Sequence, residues 1–258
     1  MDSAAADRRL QGVFVPFQGQ GHETPMLKLA KILHSPGFHV TFVNSEFNHR
    51  HLLHSYGAGT LDGLSGFCFG AILDPEGLPP SDVVDASTQD VMSPCRATME
   101  NCCLPHFRSL LAEVNSSPGV LPVTYVVGDD PPGTPTCPAH LSGRPACYLG
   151  YRGYRTLMEK GIFPFINAEQ RTNGFSEMPV ADWAPEMSKH IRLMDLPSTM
   201  RSTDPGDFMF HMALKVTKQH IAGVDAVILN TFDELEQDGL DAMLAMIPSF
   251  ASPFSPCR

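Results

Sequence analysis

Two side chains lie where acid–base chemistry could be performed, His22 and Asp129. His22 ends the glycine-rich stretch Gln18–Gly21 after an apolar run, and Asp129 and Asp130 follow a second apolar run. A helix beginning near His22 would place the imidazole at a partly positive terminus, which disfavours the imidazolium form. A neutral imidazole accepts a proton from a hydroxyl group near pH 7, and such a base contributes about 10²–10⁴-fold in rate. An aspartate that accepts from the second ring nitrogen would fix the tautomer and stabilise the charged form.

Simpler interpretations of the same residues stay open. A histidine at this position can be a capping or loop residue, and paired aspartates are common in turns after strands. The stretch Gln18–Gly21 matches neither GxGxxG nor GxxxxGK[ST], so it does not predict a dinucleotide-binding or phosphate-binding loop. Its glycines favour a tight turn and close approach of a ligand to the backbone. We therefore take Gln20 and Gly21 as candidate substrate-binding residues.

Metal ligation is not expected from the sequence. The three histidines of segment 46–56 have only Glu46 as a neighbouring carboxylate, and the Cys137–His140 pair has no partner pair at zinc-finger spacing. The seven cysteines are an odd number, which favours free thiols in a reducing compartment.

The elements that must position these side chains alternate between strand and helix. Short apolar runs predict buried strands at 13–17, 40–43, 67–72, 123–127 and 226–230. Amphipathic patterns predict a helix from Thr24, with Pro25 in its first turn, and further helices at 46–56, 90–114 (kinked near Pro105), 151–162, 207–220 and 232–246. Such alternation indicates an α/β protein with a Rossmann-like parallel sheet, in which ligands bind beyond the carboxyl ends of strands. His22 and Asp129 both follow such ends.

Length and composition limit the classes of protein. The 258 residues suffice for one large or two small domains, and 43% hydrophobic residues permit a sizeable core. A net charge of −10 argues against nucleic-acid binding. No apolar run is long enough for a membrane span. Residues 1–10 lack the apolar core of a signal peptide, which predicts a cytoplasmic protein.

Seven segments, which together cover most of residues 12–247, resemble segments of a known protein family and follow one another in the family's order. They are VFVPFQGQGHETPMLKLAKILHSPGFHVTFVNSEFNHRHLL (13–53), GLPPSD (77–82), CRATMENCCLPHFRSLL (95–111), TYVVGDD (124–130), GYRTLMEKGIFP (153–164), DWAPEMSKHIRLMDLPS (182–198) and AVILNTFDELEQDGLDAM (226–243). The segments closely resemble the N-terminal part of plant family 1 UDP-dependent glycosyltransferases. The subgroup they match includes cyanohydrin, cytokinin and terpenoid or flavonoid glucosyltransferases.

The resemblance implies a fold and an organisation of the chain. It implies the N-terminal, acceptor-binding domain of a GT-B fold over residues 12–247, after a disordered N-terminus (1–11) and before an unstructured tail (248–258). In this family the histidine after the first strand deprotonates the acceptor hydroxyl, and an aspartate after the fourth strand pairs with it. These roles fall on His22 and Asp129, whereas Asp130 occupies a position that is not the usual partner.

The implied reaction transfers a hexose, glucose in this subgroup, from a UDP-sugar to a hydroxyl of a small lipophilic plant metabolite. The acceptor is of flavonoid, cyanohydrin, cytokinin or terpenoid type, the anomeric centre is inverted, and no metal or permanently bound cofactor takes part. The implied partners are the acceptor and the UDP-sugar co-substrate, and the expected state is a monomer.

The chain departs from the family pattern in three places. Gln18 and Gly19 replace proline and alanine, and Glu23 replaces a commonly apolar residue. The prolines and glycines of 131–147 leave no room for the family's next helix and fifth strand, so we expect a damaged or missing helix–strand unit there. Residues 244–258 resemble nothing in the family's C-terminal UDP-sugar-binding domain, which predicts a truncated N-terminal half. The alternative to an enzyme is therefore a catalytically inactive truncated remnant, or a faulty gene model, that at most binds acceptor or a partner chain.

Overall fold

The computed structural model describes the chain in segments. They are residues 10–17, 20–35, 37–46, 48–50, 52, 64–73, 104–128, 139–142, 153–163, 165, 167–184, 189–196, 201–204, 206–212, 226–231, 234, 237 and 240–241. The chain divides into two compact units, Met1–Leu141 and Ser142–Arg258.

The first unit is built on a parallel sheet. Its strands are β1 (Gln11–Val15), β2 (His39–Ser45), β3 (Phe67–Ile72), β4 (Val123–Gly128) and β5 (Ala139–Ser142). They lie in the order β3-β2-β1-β4-β5, and each neighbouring pair is parallel. Every residue of β1 is buried, as expected for a central strand covered on both faces. The predicted parallel α/β sheet is confirmed, and β1 begins at Gln11, the last residue of the segment predicted to be disordered.

Helix α1 (Gln20–His34) follows β1 and begins four residues before Thr24, its predicted start. Pro25 consequently lies beyond the first turn, so the prediction that it occupies that turn is wrong. Its missing N–H leaves the Gly21 carbonyl without the donor that position 25 normally supplies. Glu23, an acidic residue, also lies in the first turn.

The buried face of α1 follows the helical period. Met26, Leu27 and Ala30 are at most 2% exposed and pack toward β1 and β2, whereas Lys28 and Ile32 point to solvent. Lys31 and His34 lie in the last turn, where positive charge suits the helix dipole. This amphipathic pattern fixes the rotation of α1 on the sheet.

Helix α2 (Leu104–Ser116) covers the sheet face formed by alternate residues of β1. Its buried Phe107 packs with Val13 and Val15 of that strand. A Cβ at Gly70 of β3 would lie 3.1 Å from Leu110 Cδ1, so the glycine allows α2 to approach the strand closely. The predicted helix 90–114 is thus confirmed for its C-terminal part, and residues 90–103 lie outside the described segments.

Strand β5 corrects the expectation for residues 131–147. We expected no strand in this proline-rich segment, but Ala139 and His140 pair with Val127 and Gly128 of β4. The four-residue strand starts directly after Pro138, which agrees with the tolerance for proline outside strand interiors. Residues 131–138 and 143–147 lie outside the described segments.

The second unit contains a hydrophobic core with short helical turns around it. Residues 153–159 form a helix, residues 208–212 are helical, and β6 spans Ala226–Leu229. Between them lie the 3-10 turns Ala168–Arg171, Phe175–Glu177, Val180–Asp182 and Leu193–Asp195. The core residues are Leu157, Phe163, Phe165, Val180, Ala184, Leu193, Leu196 and Phe210. The chain's single tryptophan, Trp183, packs against this cluster.

Candidate functional site

His22 is the third residue of α1 and its side chain is exposed to solvent. Phe17, two residues beyond the end of β1, contacts the imidazole edge-on, with ring centroids 5.1 Å apart and planes at 63°. The helix start therefore presents the imidazole at the carboxyl edge of the sheet, where the sequence predicts a base.

The strand ends that precede the two predicted catalytic residues lie side by side. β1 and β4 are neighbours in the sheet, and Val15 is paired in register with Gly128, the last residue of β4. Asp129 and Asp130, which follow Gly128 in the sequence, lie outside the described residues. The pairing of His22 with Asp129 therefore stays a prediction, founded on the adjacency of these strand ends.

The candidate substrate-binding residues open α1. Gln20 is its first residue and Gly21 its second, and Gly21 is exposed. A Cβ built at Gly21 would meet no heavy atom of the described residues within 4 Å. The backbone beside His22 thus faces open space, as the approach of a ligand requires.

A carboxyl–amide contact next to His22 was not predicted. The Nδ2 atom of Asn44, a residue of β2 that is 4% exposed, donates a hydrogen bond to Glu23 Oε1 at 2.5 Å. Burial raises the pKa of the Glu23 carboxyl above its ordinary value, and the Asn44 hydrogen bond acts in the opposite direction. The sequence shows the two residues, an acidic residue directly after His22 and an asparagine near the end of an apolar strand, but not that they meet.

Within the segments that the structure describes, no group of three or more His, Cys, Asp or Glu side chains could hold a metal ion. None of the helices in the described part of the chain is both long and apolar enough to cross a membrane.

Comparisons with known proteins agree with this architecture. The chain is 46% identical to a 7-deoxyloganetin glucosyltransferase from Gardenia jasminoides, over 96% of this chain and 52% of the relative. It is 43% identical to an (R)-mandelonitrile beta-glucosyltransferase from Prunus dulcis, over 98% of this chain and 52% of the relative. The chain thus spans about half the length of the curated relatives it matches. No model of a known protein family matches it.

Solved structures show the same fold. Medicago truncatula UGT71G1, complexed with UDP-glucose, superposes with a TM-score of 0.63 at 15% identity, over 94% of this chain and 50% of that one. The parallel sheet with flanking helices shares the α/β fold of about half of this GT-B structure. With the sequence relatives added, the chain belongs to the plant UDP-glycosyltransferases of family 1. The comparisons give no support to the alternative of an inactive remnant.

Proposed function

We propose that this chain provides the acceptor side of an inverting glycosyl transfer from a UDP-sugar. Residues 12–247 form the acceptor-binding domain, and His22 is the general base. Asp129 accepts a hydrogen bond from the second ring nitrogen of His22. Gln20 and Gly21 line the approach of the acceptor.

The proposed step moves one proton and one glycosyl group. A ring nitrogen of His22 takes the proton of the acceptor hydroxyl as the oxygen attacks the anomeric carbon of the sugar. The bond from that carbon to the UDP oxygen breaks, and UDP leaves with the bonding electrons. Asp129 stabilises the imidazolium until the proton passes to solvent. Attack opposite the leaving group inverts the anomeric centre, so an α-linked donor gives a β-glycoside.

The observation that carries the proposal is the register of β1 with β4. It sets the end of β1, which leads to α1 with His22 in its first turn, beside the end of β4, from which the chain continues to Asp129. In open α/β sheets this carboxyl edge is where ligands bind. The exposed imidazole and the open space beside Gly21 leave room for a substrate there.

The relatives indicate the class of the two substrates. The names of the two sequence relatives specify glucosyl transfer to 7-deoxyloganetin and to (R)-mandelonitrile, which are small hydroxyl compounds. UGT71G1 was crystallised with UDP-glucose. For this chain we infer a small lipophilic alcohol, of cyanohydrin, terpenoid, cytokinin or flavonoid type, as the acceptor. The inferred donor is UDP-glucose, used as a co-substrate rather than as a permanently bound cofactor.

The test is product formation by the purified chain. It is incubated with UDP-glucose and a panel containing a cyanohydrin, an iridoid alcohol, a cytokinin and a flavonol, and glucosides are detected by liquid chromatography and mass spectrometry. We expect a glucoside with the large anomeric proton coupling of a β-linkage, and a rate at least about 10-fold lower in Asp129→Asn. A chain that neither forms a glucoside nor binds any acceptor of the panel in calorimetry contradicts the proposal, and so does an α-linked product.

A further inference from the structure

We propose that Glu23 is a positioning residue that holds the His22 imidazole in place through its contact with Asn44. The proposal rests on the proposed function of His22 as the base. The role belongs to the acceptor oxygen of the Glu23 side chain and does not require its negative charge.

The contact joins the first turn of α1 to a fixed part of the sheet. Asn44 lies in β2, is 4% exposed, and is paired in register with Ala71 of β3. Its Nδ2 atom donates to Glu23 Oε1 at 2.5 Å. A buried amide between paired strands has little freedom, so it can restrain the more exposed helix start that it contacts.

The restraint passes directly to His22 because His22 and Glu23 are consecutive residues of one helical turn. Phe17, just beyond the end of β1, contacts the His22 ring edge-on, and Asn44, near the end of β2, contacts the Glu23 carboxyl. The first turn of α1 is thus attached to the ends of two neighbouring strands. This attachment matters because Pro25 removes a backbone hydrogen bond from the same part of the helix.

The chemistry of Glu23 indicates which property of the side chain is used. Burial disfavours the charged carboxylate and raises the pKa of Glu23, so the site does not favour the charge itself. The hydrogen bond from Asn44 requires only an acceptor oxygen, which glutamine also provides. Glutamine in place of glutamate should therefore keep the restraint. Methionine, which has a similar length but no acceptor oxygen, and alanine should both lose it.

The test is an NMR measurement on the full chain without substrate. The ring protons of His22 are assigned by their disappearance in His22→Ala, and we expect the ring current of Phe17 to displace them from their unfolded-peptide shifts. The same protons are compared in Glu23→Gln, Glu23→Met and Glu23→Ala. Lys28→Ala, an exposed position on α1, is the matched control. Thermal unfolding of each variant is recorded alongside.

We expect Glu23→Gln and Lys28→Ala to keep the wild-type shifts, and Glu23→Met and Glu23→Ala to lose most of the Phe17-induced displacement while remaining folded. In glucosyl transfer the Met variant should lose kcat with the KM for acceptor unchanged. The proposal is overturned if the His22 shifts stay at wild-type values in a folded Glu23→Met or Glu23→Ala variant. It is also overturned if Glu23→Gln loses as much of the Phe17-induced shift displacement as Glu23→Met does. Absence of glucoside from the wild type would count against the proposed function alone, because the NMR measurement needs no substrate.

Discussion

Leu27→Ala tests whether burial of one face of α1 holds the candidate site on the sheet. Leu27 is 2% exposed and follows Met26, which is 0% exposed, on the face that packs toward β1 and β2. Truncation removes the transfer free energy of one CH and two methyl groups and leaves a cavity, and buried Leu→Ala changes cost about 2–5 kcal/mol. Taking about 3 kcal/mol, the equilibrium constant for opening this part of the sheet should rise about 100-fold, since each 1.4 kcal/mol is tenfold.

The matched control is Ile32→Ala on the same helix. Ile32 has the same number of carbon atoms as Leu27 but is 67% exposed, and alanine has the higher helix propensity. We expect its effect on the free energy of unfolding to stay within about 0.5 kcal/mol.

The assay is native-state hydrogen exchange of peptides from β1 and β2, measured by mass spectrometry. It reports the opening of β1 and β2, which belong to the first unit, directly. Exchange in β1 and β2 should accelerate about 100-fold in Leu27→Ala and remain near the wild-type rate in Ile32→Ala. Equal effects of the two substitutions would refute the packing of α1 described above.

Three further predictions concern other contacts. Burial raises the folded-state pKa of Glu23 above its ordinary 4.5, so the folded chain binds more protons than the unfolded chain between these two values, and wild-type stability falls as the pH rises through that window. The stability of Glu23→Gln relative to wild type, measured in urea titrations, should therefore increase from acid to neutral pH. A pH-independent difference would contradict this prediction. Asp207 Oδ1 accepts the Phe210 N–H at 3.1 Å as a helix cap, so Asp207→Ala should cost about 0.5–2 kcal/mol in urea unfolding, and an effect no larger than that of an exposed surface change would argue against the cap. Gly66 has a φ of +82°, so Gly66→Ala should lower the free energy of unfolding by about 1–2 kcal/mol, and an unchanged unfolding midpoint would show that the backbone relaxes freely there.

The sequence predicts most of the sheet because its strands are short apolar runs with turn residues on both sides. The predicted strand 67–72 coincides with β3, and the other three predicted strands of the first four differ from the structure by at most two residues at either end. The start of α1 was placed too late, because Pro25 is the usual marker of a first turn and here lies beyond it. β5 was missed because prolines dominate its segment, although proline excludes a strand interior and not a strand that begins next to it.

The sequence predicts only the part of the candidate site that lies within one continuous segment of the chain. A strand, a turn and a helix start define the place of His22, and all three are local. The Glu23–Asn44 contact joins residues 21 positions apart on different elements, and no periodicity in the sequence predicts which polar side chains meet in that way. The adjacency of β1 and β4 likewise follows from the order of strands in the sheet, which local pattern does not specify.

The central claim is that His22 is the base that activates the acceptor. The direct measurement compares glucosyl transfer from UDP-glucose by wild type, His22→Ala and His34→Ala. His34 lies at the other end of α1, where its Nε2 contacts the Ser65 carbonyl oxygen at 2.9 Å, and it serves as the matched control. The account predicts a fall in kcat of about 10²–10⁴-fold in His22→Ala and a rate within about twofold of wild type in His34→Ala. A folded His22→Ala variant that transfers glucose as fast as His34→Ala would contradict it.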